Sequence, residues 1–307
     1  MLTIERILFP TDFSEGAERA LDAAIALAGD FDAELHLLHA VVLHADDPND
    51  PAHHFPDAEE IRNRLEQTAE DRMASGLEAR SAGNLRVRRH QRRGISVAPV
   101  ILEQAGEIDA DLIVMSTHGR RGIESILLGS VTEEVVRMAE CPVLTIRSDR
   151  QDSTYPDSVP LLVPVDFSEH SRGALMLARE LAARYGSGVQ VLHVFERPVH
   201  PDIYLGGMPL DSPDFHTVET SLREALATFV GETAGPDVPC TLHVVDGRAV
   251  SSILEFAERN DTGLIVIATH GLTGLAHVLL GSVSEKIVRR AECPVLTVRA
   301  FGKSLLR

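Results

Sequence analysis

The chain has little of what several protein classes require. No apolar run in its 307 residues reaches the roughly 18 positions that a membrane-spanning helix needs. The opening stretch Met1–Pro10 has no basic start followed by an apolar block, so no secretory signal is expected there. Cysteine is sparse and odd in number (Cys141, Cys240 and Cys293). That excludes a disulfide-stapled scaffold and makes the reducing cytoplasm the expected location. Positive charge is also short: 29 Lys and Arg stand against 46 Asp and Glu, a net charge of −17. Residues 1–150 carry 27 acids and 16 bases (−11), and residues 151–307 carry 19 and 13 (−6). Such a field repels nucleic acid and anionic membrane, and neither is expected as a partner. It repels a nucleotide's phosphates as well, so a phosphate site must work through local donors. The one basic cluster, Arg86-Val-Arg-Arg-His-Gln-Arg-Arg93, reads either as the solvated face of an edge strand or as an anion or nucleic-acid contact.

What is present is a duplication. Residues 112–147 and 264–299 align without a gap, with 23 of 36 positions identical. Ile7-Leu-Phe-Pro-Thr-Asp-Phe-Ser14 is likewise answered by Leu161-Leu-Val-Pro-Val-Asp-Phe-Ser168. A period of about 150 residues is too long for a solenoid unit and implies a doubled domain. With 44% hydrophobic residues, each half is long enough to bury its own core. The expected division is a first domain over 1–148, a linker over 149–158, a second domain over 159–300 and a tail over 301–307.

Within each half, apolar strand signals alternate with helical periodicity. In the first half, strands are predicted at 6–9, 33–42, 85–91, 112–115 and 143–146, and helices at 14–29, 61–77, 97–107 and 131–140. In the second half, strands are predicted at 161–164, 189–195, 241–245, 264–268 and 295–298, and helices at 171–185, 218–233, 250–260 and 283–292. Strands separated by helices of this length imply right-handed crossovers. The fold class is therefore α/β: two tandem, doubly wound, mainly parallel five-stranded sheets with helices on both faces, Rossmann-like. Ligands of such sheets bind outside the carboxyl ends of the strands, where strand order reverses.

Three pieces are expected at that edge in each half. Asp12 and Asp166 follow the first strand, where a carboxylate accepts hydrogen bonds from sugar hydroxyls or else helps to cap the next helix. Ser116-Thr-His-Gly119 and Ala268-Thr-His-Gly271 follow the fourth strand, and their small residues allow a ligand close to the backbone. His118 and His270 in these loops have no Ser or Cys nucleophile in a motif beside them, so they read as loop-orienting groups, with catalytic base as the alternative. Gly129-Ser130-Val131 and Gly281-Ser282-Val283 open the next helix, whose free amides and dipole attract an anion. Each pair of glycines is offset by ten residues: Gly119 to Gly129, and Gly271 to Gly281.

Taken together, these runs resemble the universal stress protein family in its tandem form, over nearly the whole chain. The resemblance implies an adenine nucleotide alpha hydrolase-like fold and a pattern Gly-x2-Gly-x9-Gly-Ser/Thr in the nucleotide-binding branch. The second glycine maps to Gly119 and Gly271, the third to Gly129 and Gly281, and the hydroxyl to Ser130 and Ser282. The ribose-reading aspartate maps to Asp12 and Asp166, next to Pro10, Thr11, Pro164 and Val165. The residue near adenine maps to Ala40 and Val194. The first glycine of the pattern is replaced by Ser116 and Ala268. The copies also differ after the second glycine, Arg120-Arg121 against Leu272-Thr273, and tighter phosphate binding is expected in the first half. The implied ligand is ATP (or ADP or AMP), with Mg²⁺ held on the phosphates and little turnover. The resemblance also implies that the last strands pair across an intramolecular pseudo-dimer, with a further homodimer as an option.

Two other readings stay open. One is a slow ATPase or phosphotransfer enzyme, which needs His118 or a loop carboxylate among Asp46, Asp47, Asp50 and Asp57 to position water. The other is a nucleotide-free interaction or metal-binding protein, since residues 44–57 hold three histidines and four aspartates of the kind zinc accepts. Cys141 and Cys293, each before proline, read as buried inert thiols. His39 and His193 read as packing groups beside the sheet.

Overall fold

The computed structural model describes residues 2–42, 58–80, 82–117, 128–147, 159–196, 215–269, 280–299 and 303–306. The predicted loop sites at 44–57, the linker, His118, Gly119, Arg120, Arg121, His270, Gly271, Leu272 and Thr273 lie outside them. The chain forms two compact units, one of residues 3–155 with 301–307, the other of residues 1–2 with 156–300.

The first unit runs β1 (Arg6–Pro10), α1 (Glu15–Phe31), β2 (Glu34–Val42), α2 (Ala58–Glu78), β3 (Val87–Gly94), α3 (Val97–Glu107), β4 (Leu112–Ser116), α4 (Ser130–Met138) and β5 (Val143–Ile146). The second runs β6 (Leu161–Pro164), α5 (Glu169–Tyr185), β7 (Val189–Phe195), α6 (Phe215–Glu232), β8 (Cys240–Asp246), α7 (Ala249–Arg259), β9 (Leu264–Ala268), α8 (Ser282–Arg290) and β10 (Val295–Val298). Strand order is β3-β2-β1-β4-β5 in one unit and β8-β7-β6-β9-β10 in the other, and every pairing within a unit is parallel. The chain winds outward from β1 to β3, then returns to β4 on the other side of β1. Strand order thus reverses between β1 and β4, and again between β6 and β9. Side chains alternate across a strand, yet every residue of β4 and β9 is buried, so both faces of these strands are covered. This is why the two segments are apolar runs rather than alternating ones.

Helices α1 and α5 follow the first strand of each unit and pack against β4 and β9 respectively. Each is capped by serine: Ser14 accepts from the Ala17 amide and Ser168 from the Ser171 amide. Both bury a stripe rich in alanine and leucine. They stop with a left-handed residue, Asp32 (φ 48°) in one and Gly186 (φ 65°) in the other. The helix predicted at 131–140 begins one residue earlier, at Ser130, and ends at Met138. It stops because Ala139 is extended, leading the chain through Pro142 into β5.

Strand β3 reaches Gly94, three residues beyond its predicted end. Its arginines stay in the strand because each meets an acid. Arg88 pairs with Glu34 (2.7 Å), Arg89 with Glu70 (2.8 Å), Arg92 with Glu107 and Arg93 with Glu66. The basic cluster is therefore a neutralised edge-strand face. Cys141 and Cys293 are buried, and burial pushes the Cys141 thiol up to about 12. No helix among the described residues is long and apolar enough to cross a membrane.

The residues expected to be a plain tail pack onto the first unit. Thr3 donates its amide to the Leu305 carbonyl (2.9 Å) and Lys303 donates its own to Glu140 (2.7 Å). The Lys303 ammonium lies 2.8 Å from Asp109 and 2.9 Å from Asp111. Asp111, 1% exposed, also accepts the amides of Glu5 (2.8 Å) and Arg6 (2.9 Å).

Candidate functional site

The site is built at the carboxyl ends of the strands where order reverses. After β1, the Thr11 amide donates to the Leu38 carbonyl of β2 (2.8 Å); after β6, the Val165 amide donates to Leu192 of β7 (2.9 Å). Each first strand is thus held to its neighbour one residue past its end. The chain then turns sharply. Phe13 and Phe167 have φ of 60° and 64°, a left-handed conformation that bulky residues rarely adopt. Asp12 Oδ1 accepts the Ser14 amide (3.0 Å), and Asp166 Oδ1 accepts the Ser168 amide (3.1 Å) and hydroxyl (2.5 Å). The aspartate therefore supports the cap, while the serine does the capping. Asp12 and Asp166 both remain partly accessible.

His39 and His193 do more than pack. His39 Nδ1 lies 2.9 Å from the Thr11 carbonyl, and His193 Nδ1 lies 2.9 Å from the Val165 carbonyl. Their rings rest on Phe13 (centroids 4.7 Å apart) and Phe167 (4.4 Å). Ala40 and Val194 come next along β2 and β7, half-buried.

On the other side of β1, β4 ends at Ser116, which is buried, as is Ala268 at the end of β9. The Ser116 carbonyl accepts the Thr132 hydroxyl (3.0 Å), and the Ala268 carbonyl accepts the Ser284 hydroxyl (2.7 Å). The Gly129 amide donates to Thr117 (3.0 Å) and the Gly281 amide to Thr269 (2.7 Å). A Cβ on Gly129 would lie 3.3 Å from the Thr117 carbonyl oxygen, so glycine permits this close approach. The start of α4 is in this way stitched to the end of β4, and α8 to β9 in the same manner.

Gly129 and Gly281 are the N-caps of α4 and α8, and neither helix has a side-chain cap hydrogen bond. Ser130 and Ser282, the first helical residues, are exposed. The helix therefore opens with backbone donors that no cap side chain covers. Sequence reasoning located Pro10, Thr11, Asp12, Ala40, Ser116, Gly129, Ser130 and Val131 in the first half, and Pro164, Val165, Asp166, Val194, Ala268, Gly281, Ser282 and Val283 in the second. The structure places all of these at the carboxyl edge of β1, β2 and β4, or of β6, β7 and β9, or at the adjoining helix start. It missed the two histidine ties, the Thr132 and Ser284 hydroxyls and the left-handed phenylalanines. For the first two, recurrence at equivalent positions of both halves was the available signal. Among the described residues, no group of three or more His, Cys, Asp or Glu could hold a metal ion.

Comparison with known proteins agrees with this architecture. The model of the universal stress protein family matches residues 3–147 and again 160–299. A universal stress protein of Mycobacterium tuberculosis is 33% identical over 205 residues, covering 66% of this chain and 65% of that protein. One from Mycolicibacterium smegmatis is 29% identical over 206 residues, covering 66% of each. The matched stretch thus spans slightly less than two thirds of these relatives' length. Among solved structures, a universal stress protein from Archaeoglobus fulgidus has a TM-score of 0.64 at 20% identity, covering 96% of this chain and 98% of that one. A Pseudomonas aeruginosa protein of unknown function has a TM-score of 0.63 at 21% identity, covering 96% and 92%; at such identity both speak to the fold. With the family matched once in each half, the chain belongs to the universal stress protein family.

Proposed function

We propose that each half binds an adenine nucleotide, ATP with Mg²⁺ on its phosphates, and that the protein acts as a cytoplasmic stress-response regulator with little turnover. One observation carries this reading. In both halves, a turn bearing an aspartate and a helix start capped only by glycine stand at the same sheet edge, where strand order reverses.

The residues present fit such a ligand. Asp12 and Asp166 would accept the ribose hydroxyls. Ala40 and Val194 would border the base. The amides at Ser130-Val131 and Ser282-Val283, with the serine hydroxyls, would receive phosphate oxygens, which suits a site that has to attract an anion against a net charge of −17. Ser116 and Ala268, both small and buried, stand where the family pattern has its first glycine, and their carbonyls hold the helix starts in place. Gly119 and Gly271 belong to the same proposal through the family pattern, His118 and His270 as their neighbours, and Arg120 as a further phosphate contact of the first half.

The test is to purify the protein without added nucleotide, denature it, and identify the released small molecules by chromatography with mass detection. The expected result is one to two equivalents of adenine nucleotide. A protein that carries none and gives no heat with added Mg-ATP would overturn the reading.

A further inference from the structure

Each histidine grips its aspartate's turn on both flanks. A carbonyl oxygen only accepts, so Nδ1 of His39 and of His193 must carry the proton that reaches the Thr11 and Val165 carbonyls at 2.9 Å. These carbonyls belong to the residue just before Asp12 and Asp166. The same rings rest against Phe13 and Phe167, the residues just after. Phenylalanine holds its left-handed φ there only while its surroundings enforce it. The carboxylate's direction is then set by the turn, because Oδ1 is bound to the amide of Ser14 or Ser168.

The rest of the turn's support differs between the copies. The Thr11 hydroxyl accepts the Phe13 amide (3.0 Å) in the first half, whereas Val165 has no hydroxyl to offer. Phe13 faces the Arg72 guanidinium (5.1 Å), while Phe167 meets the edge of Phe229 (5.7 Å). The histidine grip recurs with the same atoms and the same distance.

We propose that His39 and His193 are positioning residues: by fixing the turn on both sides, they aim Asp12 and Asp166 at the ribose hydroxyls of the bound nucleotide. The proposal rests on the nucleotide reading above, and its test separates the two. Titration calorimetry on the full chain compares Mg-ATP with Mg-2′,3′-dideoxy-ATP, which lacks the hydroxyls. The proteins are the wild type, the double variant H39L/H193L and the double variant H39N/H193N, whose amide nitrogen stands where Nδ1 stood. The leucine variant should bind Mg-ATP about fivefold to tenfold more weakly, the scale of one hydrogen-bonded contact. It should bind the dideoxy ligand as the wild type does, and the asparagine variant should recover most of the affinity for Mg-ATP.

An equal loss for both ligands would mean a general structural role and overturn the proposal, as would no loss for either. A wild type that binds both ligands equally would overturn it while leaving nucleotide binding intact. A wild type that binds neither would remove the nucleotide reading, and the proposal with it. If the leucine variant does not fold, as judged by far-UV dichroism, the asparagine variant decides. Its affinity for Mg-ATP should stay within about threefold of the wild type with the preference over the dideoxy ligand retained, and loss of that preference would refute the assignment.

Discussion

Replacing Lys303 with methionine tests whether the C-terminal segment is a working part of the first unit. Lys303 brings an ammonium 2.9 Å from the carboxylate of Asp111, which is 1% exposed. The lysine side chain is itself only 20% exposed. An exposed pair contributes about 0–1 kcal/mol, whereas removing one partner of a fully buried pair costs about 3–5 kcal/mol. Asp111 keeps its two backbone donors from Glu5 and Arg6, so the loss should fall between these limits, at about 2 kcal/mol. For a unit of this size, that lowers the melting temperature by about 4–8 °C. Substituting Asp111 with asparagine keeps an oxygen for the amides but removes the charge. The double variant D111N/K303M should then lose at least about 1 kcal/mol less than the sum of the single variants, because no uncompensated charge remains. Far-UV dichroism during heating gives the magnitudes. Hydrogen exchange read by mass spectrometry locates them, with faster exchange expected in peptides covering residues 3–9 and 109–116. A cost below about 0.5 kcal/mol for Lys303→Met, or strict additivity in the double variant, would refute the argument from burial.

Three further outcomes are expected. His36 and His90 stack with a 2.9 Å contact between Nδ1 and Nε2, and the other His36 nitrogen meets Glu34. Burial, first, holds both rings below their ordinary value of 6.5. The unfolded chain therefore takes up these protons more readily, so stability should be full above pH 6.5 and fall as the pH drops below it; melting curves from pH 7.5 to 5 should decline less steeply for H36L/H90L than for the wild type. A methyl group at Gly263 would lie 2.0 Å from Val159 Cγ2, so Gly263→Ala should cost about 1–3 kcal/mol in urea unfolding, and Val159→Ala should restore part of it. With Cys141 pushed up to about 12 and Cys141 and Cys293 buried, native protein at pH 8 should be alkylated first at half-buried Cys240, as peptide mapping would read.

Much of the fold is legible because its signals are local. The apolar runs Leu112–Met115 and Leu264–Ala268 identify strands covered on both faces. Ser14 and Ser168 mark helix starts in the place where a hydroxyl satisfies a free amide. The Gly-Ser pairs are legible for the opposite reason: a glycine cap offers no side chain, so the amides stay available. What the sequence conceals depends on register and distance. Lys303 meets Asp109 across 194 positions, and nothing near either residue announces the other. The histidine ties need β2 to lie beside β1 in one particular register, Pro10 opposite Leu38, which places His39 next to the turn. A left-handed Phe13 contradicts local preference outright. The His39 ring, the Arg72 guanidinium and the Thr11 hydroxyl surround and support it.

The duplication turns these observations into a comparison with an internal control. At the amino ends of the strands, the two halves solve the same packing problem differently. Both halves share a backbone bond there, the Asp111 amide to the Arg6 carbonyl (2.9 Å) and the Gly263 amide to the Pro160 carbonyl (3.0 Å), but the Asp111 side chain draws in the Glu5 and Arg6 amides and the C-terminal lysine, whereas the equivalent Gly263 has no side chain and leaves room for Val159. Either solution closes the sheet, so stability alone does not dictate the residues there. At the carboxyl ends, three ties recur in both halves. Histidine Nδ1 reaches a turn carbonyl, a hydroxyl on the last helix reaches the carbonyl at the end of the fourth strand, and a glycine amide reaches the next residue's carbonyl. This edge also contains the left-handed phenylalanines and the helix starts without side-chain caps, features that cost stability rather than add to it. Costly features kept in both copies, at the edge opposite one where the residues diverge, support the ligand site proposed at the strand-order reversal.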